Sequence, residues 1–97
     1  MKTRILIAVT GRVQGVSFRK HTALKAEELG IKGWVTNLPD GSMQGCFEGD
    51  AAAVDALFAW CSISSEWAHV YFLTCENQLY TGEFRDFRIL QEEIKAA

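Results

Sequence analysis

The 97-residue sequence predicts an α+β fold in which two helices cover one face of an antiparallel sheet. Two observations carry that prediction. Apolar runs of period two alternate with runs of helical period, giving the order β-α-β-β-α-β and a short final strand. Glycines and the one proline punctuate the joints between the runs. This order is the ferredoxin-like split βαβ pattern, and neither a sandwich nor a parallel sheet alternates in this way.

Each element has its own reason. In Ile5 to Thr10, residues Ile5, Ile7 and Val9 face one way and Leu6 and Ala8 the other, as in a strand covered on both faces. Gly11 to Ser17 reads as a glycine-marked loop. From Phe18 to Leu29 the period becomes helical, with Phe18, Thr22, Ala26 and Leu29 on one stripe, Ala23 beside it, and Gly30 at the C-cap. Lys32 to Asn37 is a second strand. Leu38-Pro39-Asp40-Gly41 is a turn in which Pro39 presets φ and Gly41 relieves strain, leading into a strand over Ser42 to Glu48. Gly49-Asp50 opens a second helix with Asp50 as N-cap, and Val54, Leu57, Phe58 and Cys61 recur at i, i+3, i+4 and i+7. Ser62 to Ser65 is a polar break, Trp67 to Thr74 a strand, Glu76 to Gly82 a turn region, and Arg85 to Leu90 the last short strand.

Composition bounds the rest. Hydrophobic residues make up 48% and charged residues 23%, too apolar for a disordered tail or a collagen-like repeat. A chain of this length buries roughly 60–70% of its unfolded surface, so one domain spanning residues 1–97 is expected to hold a core without staples. Three cysteines with no C-x-x-C pair argue against a disulfide scaffold and a structural zinc site. No run approaches the roughly 18 apolar residues of a membrane span, and the N-terminal residues lead into a strand rather than a secretory signal. The expected setting is the reducing cytoplasm.

The net charge of −2 divides unevenly: through Lys32 the balance is +5, and beyond it −7. The whole is too acidic for a general nucleic-acid binder, and a local positive zone fits a small anion better than a polyanion. Solvated surface charges would give the same count. The predicted topology sharpens the choice, because the first two strands of a βαβ unit point the same way. The loop after Thr10 and the strand end at Asn37 then emerge at one edge of the sheet.

The first turn of the first helix holds Arg19, Lys20 and His21 and no acid. Cations at that end of the helix dipole are disfavoured by about 0.3–1 kcal/mol each. An anion held by the loop and the free helix amides would reverse the sign, with Gly11 and Gly15 letting backbone N–H groups turn inward. A tight turn with exposed basic residues is the alternative. The loop lacks the G-x-x-x-x-G-K-[ST] of a P-loop, and Val13 occupies the place of a cysteine phosphatase's thiolate. His21 and His69 are the only histidines, which leaves no ligand cluster for metal-dependent hydrolysis, and no Ser/His/Asp set is visible.

A guanidinium, backbone amides and an asparagine remain. Arg19 offers a two-pronged contact to phosphate oxygens, and Asn37 can orient a water but is too weak a base to deprotonate it. Such a site suits an activated substrate. A carboxyl-phosphate anhydride expels a carboxylate of pKa around 4 and needs no general acid, whereas an alkyl phosphate monoester does.

The stretch Gly11-Arg12-Val13-Gln14-Gly15-Val16-Ser17-Phe18-Arg19, then Gly33-Trp34-Val35-Thr36-Asn37 and the Gly41…Gly49 hairpin, resembles the acylphosphatases over nearly the whole chain. Two separate motifs at the right spacing make this more specific than one glycine-rich loop. The resemblance implies an enzyme that hydrolyses acyl phosphates to carboxylate and inorganic phosphate without metal or other cofactor. It implies that Arg19 binds the phosphoryl group, that Asn37 holds the nucleophilic water, and that the N–H groups of Gln14, Gly15, Val16, Ser17, Phe18 and Arg19 form a cradle. Ser17 stands where glycine is frequent, Met43 where valine is usual, and Thr36 where a basic residue is frequent. The expected partners are a small acyl phosphate and inorganic phosphate, with no nucleic acid and no membrane, and the chain is expected to be a monomer.

Other residues have plainer readings. Trp34, Trp60 and Trp67 read as core or sheet-face residues, because the RNA-recognition signature that shares this element order is absent. Cys46, Cys61 and Cys75 read as buried small apolar residues. His69 reads as structural and His21 as a bystander. A regulatory anion-binding domain and a carbamoyl-phosphate-handling module are the competing functional classes. Retention of both Arg19 and Asn37 argues against the first, and the short length against the second.

Overall fold

The computed structural model describes residues 1–12, 18–62 and 69–90. The elements follow in the order β1 (Lys2–Arg12), α1 (Phe18–Glu28), β2 (Lys32–Asn37), β3 (Met43–Asp50), α2 (Ala51–Ser62), β4 (His69–Gln78) and β5 (Phe87–Leu90). The sheet order is β4-β1-β3-β2-β5. Both β1 and β2 pair antiparallel with β3, so they run parallel to each other with β3 between them, as the split βαβ reading requires.

The expected periodicities produce the core. Ile5, Ile7 and Val9 of β1, Val35 of β2, and Met43 and Phe47 of β3 are buried on one sheet face. Thr22 and Ala26 of α1, with Val54, Leu57 and Cys61 of α2, are buried with them, while Ala23, Leu29 and Phe58 pack partly buried against the cluster. Phe87 closes the far end, its ring 5.9 Å from that of Phe47. The joints behave as the sequence indicates. Gly30 has φ +74°, and Ile31 N–H donates to Ala26 C=O at 2.8 Å while Gly30 N–H donates to Glu27 C=O at 3.1 Å. This double bond pattern is a Schellman cap, which satisfies carbonyls that the last helical turn would leave open. Gly33 has φ +141°, and a Cβ there would collide with the Cys46 carbonyl oxygen, so only glycine allows β2 to approach β3 at this point.

Several boundaries differ from expectation. β1 begins at Lys2 and continues through Gly11 and Arg12, which pair with Val70 and His69 beyond a register shift at Thr10/Gly11. Pairing with β4 therefore carries the strand into the glycine-marked segment. Gly49 and Asp50 still belong to β3, and the Asp50 carboxylate pairs with Lys2 Nζ at 3.5 Å. β4 runs past Thr74 to Gln78, because an edge strand tolerates exposed polar residues such as Glu76 and Asn77. The expected start of this strand at Trp67 lies outside the described residues, as do residues 63–65 of the polar break. β5 is shorter than expected and pairs parallel with β2, so the sheet is mixed rather than wholly antiparallel.

That parallel pairing follows from the path of the chain. β4 and β5 occupy opposite edges, so residues 79–86 must cross the sheet between them. They cross the face away from the helices, where Arg4 and Glu48 hold them. The Glu48 carboxylate, almost fully buried, accepts from Thr81 N–H at 2.9 Å and the Thr81 hydroxyl at 3.1 Å, with Arg4 Nη1 at 3.6 Å. Arg4 also donates to Gln78 Oε1 at 3.0 Å. A buried carboxylate without these donors would be strongly unfavourable, so the cluster fixes the crossing. It sits opposite Lys32 at the start of β2, roughly 16 Å along the strand from Asn37.

Candidate active site

Register places the end of β2, with Asn37, at the same sheet edge as the end of β1. Met43 pairs with Val9 on one side and Asn37 on the other, so the end of β2 lies level with Val9, about 10 Å across the sheet. The turn after Asn37 is tightly made. Gly41 N–H donates to Leu38 C=O at 3.1 Å and Leu38 N–H to Ser42 C=O at 2.8 Å. The Asp40 carboxylate accepts from Ser42 N–H at 2.9 Å and from the Ser42 hydroxyl, and these bonds hold its pKa below the usual carboxylate value. This is an Asx turn, which supports Asn37 from the chain immediately beyond it.

Asn37 shares a strand face with Gly33 and buried Val35, toward the helices. Its Oδ1 is buried and has no hydrogen-bond partner among the described residues. Burying an amide oxygen without a donor costs about 1–3 kcal/mol, so a group that supplies one binds here with that advantage.

Arg19 occupies the first turn of α1, which contains no acid. Its Nη1 donates to the backbone C=O of Leu90, at the end of β5, at 3.2 Å. The Thr36 hydroxyl donates to the same oxygen at 3.2 Å. One carbonyl therefore ties the guanidinium to the strand end that carries Asn37. Leu90 is the contact that sequence reasoning missed, since a backbone carbonyl carries no signature in residue type. Thr36 was visible only as a departure from a basic residue.

The other expected residues divide in two. Phe18 and Arg19 open α1, and their N–H groups belong to its first turn, where no carbonyl of the helix itself can accept from them. Gln14, Gly15, Val16 and Ser17 lie outside the described residues. His21 is exposed, and Lys20 beside it is too. Trp34 and Trp60 are half-buried. The side chain of His69 and all of Trp67 lie outside the described residues. Cys46 and Cys61 are buried as expected, and burial pushes the Cys61 thiol up to about 12, partly offset by its hydrogen bond with Thr22. Cys75 departs from expectation, since it is exposed on edge strand β4. Among the described residues no group of three or more His, Cys, Asp or Glu side chains is placed to hold a metal ion, and no helix is long and apolar enough to cross a membrane.

The acylphosphatase family model matches residues 5–89. The chain belongs to the acylphosphatase family. It is 49% identical over 89 residues to the acylphosphatase of Geobacter sulfurreducens, covering 92% of this chain and 98% of that one. Among solved structures it is similar to an acylphosphatase from Coxiella burnetii, with a TM-score of 0.86 and 34% identity over 92% of this chain and 93% of that one. The acylphosphatase from Bacillus subtilis superposes with the same TM-score of 0.86, at 28% identity, over 93% of this chain and 99% of that one. The ferredoxin-like α+β fold is thus that of its family, and the protein is an enzyme that hydrolyses acyl phosphates.

Proposed function

We propose that Arg19 binds the phosphoryl group, that Asn37 positions the attacking water, and that the backbone N–H groups from Gln14 to Arg19 cradle the phosphate oxygens. The observation that supports this reading best is the buried Oδ1 of Asn37, without a partner among the described residues, at the strand end to which Arg19 is tied through Leu90. A water donating to that oxygen is held in one orientation with its lone pair free. The water oxygen bonds to phosphorus, and the bond from phosphorus to the acyl oxygen breaks with its electron pair going to the carboxylate. The protons of the water end on phosphate and in solvent.

The energetics fit these groups. A loose phosphoryl transition state asks chiefly for positioning and charge stabilisation, which a guanidinium and amides supply. The carboxylate leaves unprotonated, so the absence of a general acid among the proposed residues costs nothing. The same argument makes the enzyme selective. It should hydrolyse benzoyl phosphate in the presence of excess chelator and leave an alkyl phosphate monoester intact. Activity lost on chelation, or comparable monoester turnover, would contradict the metal-free anhydride mechanism.

The setting is also part of the proposal. Free Cys46, Cys61 and Cys75 suit the reducing cytoplasm. The positive zone through Lys32 suits a small acyl phosphate and inorganic phosphate as partners, the acidic remainder disfavours a nucleic acid, and we take the protein to act as a monomer.

A further inference from the structure

A groove of about 360 Å³ runs along the helix-free face of β2 and β5, between those strands and the crossing segment, with Trp34, Phe84, Arg88 and Leu90 in its lining. The parallel register places Trp34 beside Arg88 and Thr36 beside Leu90, so the four side chains share this face. Successive residues on one face lie about 6.6 Å apart and neighbouring strands about 4.8 Å, which puts Trp34 about 8 Å from Leu90 along the diagonal. Leu90 is also the residue whose carbonyl receives Arg19 and Thr36. The groove therefore opens where the proposed phosphate anchor is tied.

We propose that this groove is the acyl subsite, and that it favours acyl phosphates carrying a flat aromatic group over short aliphatic ones, with Trp34 as the specificity-determining residue. An acyl group attached to a phosphate at Arg19 points either into solvent or along a neighbouring surface. Trp34 and Phe84 are both half-buried and offer aromatic surface without exposing a core side chain. The two carboxylates of the lining are both paired. Arg88 Nε lies 3.0 Å from Asp86, and Glu83 lies 3.3 Å from Arg4. A ring can therefore enter without stripping water from an uncompensated carboxylate. Stacking on the indole adds binding that a methyl group cannot match. A second groove, of about 250 Å³, lies on the helical side between α1 and β5 and is lined by Lys20, Leu24 and Ile89. Leu90 is not in its lining, and its aromatic residue, Phe87, is buried at the opposite end of β5 from the anchor.

This inference rests on Arg19 as the phosphoryl anchor, and the experiment separates the two claims. kcat/KM is measured for benzoyl phosphate and acetyl phosphate, with inhibition by inorganic phosphate, on wild type, Trp34→Ala, Trp34→Leu, Trp34→Phe and Leu24→Ala. The benzoyl-to-acetyl ratio should fall about 5- to 10-fold in Trp34→Ala, fall less in Trp34→Leu and hold in Trp34→Phe. Acetyl phosphate turnover and phosphate inhibition should stay near wild type throughout. Trp34→Leu keeps the test readable if the alanine variant does not fold. An unchanged ratio, an equal loss for both substrates, or a ratio that moves in Leu24→Ala instead would overturn the subsite. Failure of the anchor has a different signature, read on Arg19→Ala measured in parallel, namely phosphate inhibition that survives the substitution.

Discussion

Asn37→Ala is expected to lower acyl phosphate turnover by about 10²–10³-fold while inorganic phosphate inhibits the variant as strongly as wild type. The size follows from removing one positioned hydrogen-bond partner from a site that works by preorganisation. The selectivity follows from geometry. Asn37 Oδ1 is buried and unpartnered among the described residues, so a water is its natural donor, whereas the phosphate is assigned to Arg19 and the backbone amides. Stability should change little, or rise slightly, because alanine removes a buried amide oxygen that lacks a partner among the described residues. Steady-state kinetics with phosphate as inhibitor, run beside thermal denaturation, check all three points. A variant that loses phosphate inhibition together with turnover would rule out a water-positioning role.

Arg19→Ala should behave differently, losing about 10³-fold in kcat/KM together with inhibition by phosphate. Arg19→Lys should recover little of either. An ammonium is a point charge without the planar fork, so it cannot contact two phosphate oxygens as a guanidinium does. The tie to Leu90 adds a further demand, because the donor that reaches the strand-end carbonyl must leave the rest of the group aimed at substrate. The lysine variant separates charge from geometry: near-wild-type activity there would mean that positive potential alone suffices.

Much of this was legible in the sequence because it depends on period and punctuation. The stripe through Val54, Leu57 and Cys61, the glycine at position 30 and the Pro39-Asp40-Gly41 turn are local, and local chemistry decided them. That the chain after Thr10 and the strand end at Asn37 emerge at one edge of the sheet also followed, since it needs only the direction of the strands in a βαβ unit. What escaped depends on contacts between distant segments. The parallel arrival of β5 follows from where β4 leaves the chain, and nothing in Phe87 to Leu90 encodes it. The extension of β1 through Arg12 follows from pairing with β4. Cys75 has the hydrophobicity of a core residue and ends exposed because its strand forms an edge. Leu90 acts through its backbone, which a side-chain pattern cannot reveal.

In the proposed mechanism water attacks phosphorus at a site built from Arg19 and Asn37. Hydrolysis of benzoyl phosphate in ¹⁸O-enriched water tests it most directly, with mass analysis of both products. The mechanism predicts one solvent oxygen in the released phosphate and none in the benzoate. Label in the benzoate would place the attack at the carbonyl carbon and contradict the roles assigned to both residues.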